Sequence, residues 1–92
     1  MPMKPKPTDA QRRVLVGLRE LELSGEPYLP TIREAMRKLG FATPAAVAYH
    51  LTRLRDMGLV LPQSALRRPG IALTSAGLRE VRQARRALEG GK

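Results

Sequence analysis

Four threonine-headed start signals cut this 92-residue chain into short helices and leave little room for any other architecture. Thr8 is followed three residues later by Gln11, and Thr31 by Glu34; each pair has the form of a capping box, in which two backbone N–H groups of the first turn find side-chain acceptors. Thr43 stands directly before Pro44, an N-cap followed by the one residue whose missing N–H costs nothing at the first helical position. Thr74 opens a fourth segment. Glycines close the first three: Gly25, Gly40 at the left-handed position after Leu39, and Gly58 after Met57.

The apolar residues inside these segments recur every three to four positions, the period of a helix with one buried side. Helix one buries Gln11, Val14, Leu15, Leu18 and Leu21. Val16 and Leu23 lie off that stripe, seven apart, and call for a second apolar contact, either from the C-terminal helix or from another subunit. Helix two, to about Leu39, is expected to bury Ile32, Ala35, Met36 and Leu39, with Phe41 folding back onto the core behind it. Pro27 and Pro30 bracket a short extended loop before it. Helix three, residues 44–57, buries Val47, Leu51 and Leu54 with His50 on the flank. Its opposite face carries Ala45, Tyr49, Thr52, Arg53 and Asp56, with Ala46 and Ala48 at the margins.

Leu59-Val60-Leu61 and Ile71-Ala72-Leu73 are too brief for helices and read as a two-stranded hairpin, joined by a loop over 62–70 that holds Arg67 and Arg68. In helix four, Leu78, Val81, Ala84 and Leu88 form one side and Arg79, Arg82 and Arg86 another. Residues 1–7 alternate Pro and Lys and read as a flexible basic arm. The expected fold is therefore mostly α with a small β-hairpin: a winged helix-turn-helix over 8–73, made of a three-helix core and a wing. Residues 74–92 add a C-terminal basic helix and tail suited to dimerisation.

Composition removes most function classes. No cysteine is present, so disulfide scaffolds, thiol nucleophiles, zinc fingers and iron–sulfur clusters are excluded. One His and eight scattered carboxylates give no metal site and no acid–base pair, and so small a domain leaves little room for a deep catalytic cleft. Neither catalysis nor a cofactor is expected. No apolar run approaches the roughly 20 residues of a membrane span, and the N-terminus lacks the apolar core of a signal peptide, so the expected location is the cytoplasm. Seventeen Lys and Arg against eight Asp and Glu leave a net charge of +9, which favours an anionic partner. Thirteen of the seventeen are Arg, and Asn is absent. Both biases fit a thermophile, and a GC-rich genome would produce the Arg excess equally well.

The run from Pro30 to Val60 resembles the DNA-binding domain of LexA repressors without a gap: Pro30-Thr31-Ile32-Arg33-Glu34, Leu39-Gly40-Phe41, Thr43-Pro44, Val47, His50-Leu51, Leu54 and Gly58-Leu59-Val60 carry it. With the first helix, the resemblance spans residues 8–61. It implies that the start of helix three reads operator bases through Thr43, Ala45, Ala46, Ala48 and Tyr49. Arg53 lies on the same outward face. Three of those five positions are alanine, which contacts only thymine methyls, so direct readout is expected to be thin. The self-cleaving peptidase domain of the family, with its serine–lysine chemistry, has no counterpart here. Residues 71–77 are instead similar to the wing exit and helix start of MarR-like and PadR-like regulators, in which a C-terminal helix often mediates dimerisation.

Backbone contacts are expected from Lys4 and Lys6 of the arm, from Thr31, Arg33, His50 and Thr52, and from Arg67 and Arg68 of the wing. Each residue also has a plainer reading. Thr31 and Thr43 cap helices in any case, His50 is a packed histidine rather than a metal ligand, and Tyr49 is an ordinary exposed aromatic if it meets no base. Arg67 and Arg68 are solubilising loop charges if they meet no phosphate. The arginine face of helix four is either a contact for DNA backbone or RNA, or a solvated surface. The expected function is a small sequence-selective DNA-binding regulator of bacterial or phage type, a repressor acting on double-stranded DNA, with a homodimer through the last helix as one arrangement. The competing reading is a protein-interaction adaptor on the same scaffold, for example binding RNA polymerase or a replication protein.

Overall fold

The computed structural model describes residues 7–26 and 28–90, with side chains as far as Ala87. Helices form at all four start signals: α1 (Asp9–Ser24), α2 (Ile32–Leu39), α3 (Pro44–Asp56) and α4 (Ser75–Gly90). Both capping boxes close. Thr8 Oγ1 accepts from the Gln11 N–H at 3.1 Å and Gln11 Oε1 from the Thr8 N–H at 2.9 Å. The Thr31 and Glu34 bonds are 3.1 and 3.2 Å. Gln11 is buried, and the cap supplies the partners that a buried amide requires.

One core serves all four helices. Leu15 and Leu18 of α1, Ala35 of α2, Val47, Leu51 and Leu54 of α3, and Val81 of α4 meet in it, together with Val60 and Ile71 from the connecting segments. α2 and α3 are joined by residues 40–43. Gly40 takes φ 75°, and the Phe41 N–H donates to the Met36 carbonyl at 3.0 Å, which turns the chain back onto the core. Ala35 has no exposed surface, so its small side chain sets how closely α2 packs.

Of the expected hairpin only its base is seen. Among the described residues no strand is present, and Val60 and Leu73 make a single isolated antiparallel bridge. It is flanked by Leu61 N–H to Ala72 O at 2.8 Å and Thr74 N–H to Leu59 O at 3.1 Å. The ladder stops there as the chain turns away directly after Pro62. The chain then enters a 3-10 turn, Gln63–Ala65, and the Ile71 N–H, which in this register points away from the 59–61 segment, donates to Pro30 O at 2.9 Å. Ile32 is a second correction. It is 40% exposed, because it occupies the first position of α2, beyond the edge of the core, where the 62–70 loop covers it only in part. The expected arm is also trimmed: Pro7 is buried, and residues 1–6 lie outside the described residues.

α4 runs antiparallel to α1, with Leu78 beside Arg19 and Glu22, and Ala84 and Ala87 beside Arg12 and Val16. Its buried residues, Val81 and Ala84, face α1, and Val16 packs against the common core. Leu23 remains 47% exposed, and the Leu88 side chain lies outside the described part. Thr74 ties the start of α4 to the end of α3 by donating to Gly58 O at 2.6 Å while accepting from the Gly77 N–H at 3.0 Å.

Candidate nucleic-acid interface

α3 has two unlike faces. Its inner stripe of Val47, Leu51 and Leu54 is closed off from solvent, whereas Ala45, Ala48, Tyr49, Thr52 and Arg53 are all exposed and Ala46 is half-buried. Thr43 caps the helix by accepting the Ala46 N–H at 3.3 Å. The first turn therefore offers the cap, the Pro44 ring and methyl groups to a neighbouring surface, and Tyr49, 57% exposed, is the first long side chain along it. The Thr52 hydroxyl donates back to the Ala48 carbonyl at 3.0 Å.

A chain of ring contacts fixes the direction of Tyr49. Phe41 and His50 stack with centroids 5.2 Å apart, and Tyr49 meets His50 edge-on at 5.5 Å. The Arg53 guanidinium lies 5.5 Å from the Tyr49 ring centre, within reach of a cation–π contact. His50 Nδ1 is buried with no hydrogen-bond partner, so the ring acts here mainly as a packing plate between Phe41 and Tyr49. Its place on the flank of α3 is the one its spacing predicts, and the two aromatic contacts come in addition.

Thr31 and Arg33 stand exposed at the start of α2. They face the 62–70 loop across a groove lined also by Ile32, Arg55, Gln63 and Gly70. Three bonds anchor the loop. Arg55 Nε donates to Leu61 O at 3.4 Å, the Gln63 amide donates across its neck to Gly70 O, and the Ile71 N–H holds Pro30 O. Arg67 and Arg68 project, exposed, from the far part of the loop. Arg55 and Gln63 are the anchoring residues that motif reading misses. The only sequence signal for Arg55 is its place in the last turn of α3, and Gln63 differs from any loop glutamine only in following Pro62. Lys4 and Lys6 fall outside the described residues.

The charge arrangement separates structural from free cations. Among the described residues, the ion pairs join Arg12 to Asp9 and Glu80, Arg19 to Glu22, and Lys38 to Glu20. None uses Arg33, Arg53, Arg67 or Arg68. No group of three or more His, Cys, Asp or Glu that could hold a metal occurs among the described residues. No described helix is long and apolar enough to cross a membrane.

Two short helices crossing through a tight turn, the second with a slim exposed face and free arginines to either side, define a DNA-binding module of the helix-turn-helix class. The LexA DNA-binding domain matches residues 3–68, and this chain belongs to that family. The family's domain is a winged helix-turn-helix and its partner is DNA; the 92 residues carry no peptidase domain. The match runs through Arg67 and Arg68, beyond Val60 where the residue-by-residue resemblance ends, and α4 lies outside it. Comparison with curated proteins and with solved structures finds no match.

Proposed function

We propose that this chain is a sequence-selective transcriptional repressor that lays α3 in the major groove and holds the flanking backbone with the 62–70 loop. The observation that carries this reading is the exposed face of α3. The groove is about 12 Å wide and admits a helix, whose backbone comes closest to the bases where its leading side chains are small. Ala45, Ala46 and Ala48 satisfy that condition, and Tyr49 and Arg53 follow as the side chains long enough to meet base edges. Thr43, at the tip, joins them as a reader.

Thr31, Arg33, His50 and Thr52 are assigned to the phosphates beside the groove, Arg67 and Arg68 to the next backbone segment, and Lys4 and Lys6 to the arm. Phosphate contacts position the module and base contacts give it selectivity. A repressor of this size acts by occupying a promoter. The family match supports DNA over a protein-only adaptor as the partner.

A titration against duplex DNA at several salt concentrations tests the reading. Neutralising roughly four to six phosphates gives a slope of log K against log[salt] of about −4 to −5. Absence of duplex binding at low salt would remove the reading altogether.

A further inference from the structure

The arginine face of α4 is the largest charged feature that this reading leaves unused. Arg79, Arg82 and Arg86 are all exposed, and at 3.6 residues per turn they fall within about 60° of one another, on the side turned away from Val81 and Ala84. None is in an ion pair among the described residues. The one described acidic side chain of α4, Glu80, lies off this face, 4.0 Å from Arg12 of α1. Like charges three and four residues apart repel on a helix, so the face opposes the helix that bears it until a polyanion covers it.

Its position matters as much as its charge. Among the helices α4 packs on α1 alone, whereas α1 also packs on α2 and α3. α1 thus stands between α4 and the helix-turn-helix, and the arginines lie on the side of α4 turned away from its buried Val81 and Ala84. A duplex seated on α3 does not occupy them.

We infer that the Arg79, Arg82 and Arg86 face of α4 is a second nucleic-acid surface that grips the phosphate backbone of another duplex segment without reading its sequence, so that one chain bridges two DNA segments. Three arginines in a row over about 10 Å of helix, with the exposed Gln83 beside them, suit a repeating phosphate charge. The inference builds on DNA binding by α3 and adds a separate site.

The test is a capture experiment with the 92-residue chain. Protein is loaded on an immobilised duplex, and a second, labelled duplex of unrelated sequence is added at low salt. Duplex stoichiometry and the mass of the free protein by light scattering are measured alongside. The expected result is capture of the second duplex by the wild type. The R79Q/R82Q/R86Q variant is expected to keep its first duplex and its mass and to lose at least tenfold in capture.

A Tyr49→Ala/Arg53→Gln variant separates the two surfaces, since it weakens the first site and leaves the α4 site intact. If the wild type binds a single duplex that is lost with the α4 arginines alone, the second surface stands and the α3 reading falls. Wild-type saturation at one duplex that the α4 substitutions do not affect would overturn the inference and leave those arginines for an acidic protein. A lower mass for the triple variant would overturn it too, by assigning them to contact between copies of this chain.

Discussion

Gly40 and Gly77 are both required, for different physical reasons. Gly40 has φ 75° and open space around its missing Cβ, so Gly40→Ala incurs only the left-handed backbone cost of about 1–2 kcal/mol. Gly77 has ordinary helical geometry, but a Cβ there would collide with the Leu59 carbonyl oxygen. That oxygen also accepts from the Thr74 N–H, so relief requires moving the start of α4 away from the segment that follows α3. Gly77→Ala is expected to cost about 1–3 kcal/mol. In a domain of this size each kcal/mol lowers Tm by about 4–8 °C. A melting scan of both variants checks this, and an unchanged Tm for Gly77→Ala would contradict the packing of α4 described above. At the interface, Tyr49 is the residue whose loss should change what is read. Its ring is held by His50 and in turn supports Arg53, so Phe41→Leu should loosen Tyr49 and broaden sequence preference with little loss of fold. A preference profile identical to the wild type would contradict that chain of contacts.

At the scale of elements, the helices were legible and the wing was not. A capping box is closed by residues three apart, so Thr8 with Gln11 and Thr31 with Glu34 declare themselves locally. The form of the 59–73 segment depends instead on contacts distant in sequence, such as the bond from the Ile71 N–H to Pro30 O and that from the Gln63 amide to Gly70 O. Two apolar triplets cannot reveal that. The inner and outer residues of α3 were likewise legible from period alone, whereas Arg55 and Gln63 acquire their roles only from where Leu61 and Gly70 come to rest. Arg67→Ala/Arg68→Ala is expected to weaken binding to every duplex alike and to reduce the salt slope by about 2, one per lost phosphate contact. Loss at some sequences and not others would mean that the loop reads bases. Gln63→Ala, which opens the neck of the loop, should weaken binding in the same sequence-independent way while both arginines remain.

Over the whole molecule, the charge is distributed in a way that divides affinity from selectivity. Residues 62–92 hold seven basic and two acidic side chains, a surplus of +5, while residues 31–61 hold five and two, a surplus of +3. Among the described residues, the acids of α1 and Glu80 of α4 go largely to pairs within and between helices, and none of those pairs uses the arginines at the interface or on the outer face of α4. Affinity should therefore come from the loop and its surroundings, and selectivity from the slim face of α3. Selection of bound sequences from a random duplex pool tests this division most directly, run in parallel with the wild type, Tyr49→Ala and Arg67→Ala/Arg68→Ala. The account predicts one short enriched motif for the wild type, the same motif at lower affinity for the loop variant, and an altered or relaxed motif for Tyr49→Ala. No enriched motif with the wild type, or the same uniform loss from both variants, would contradict it.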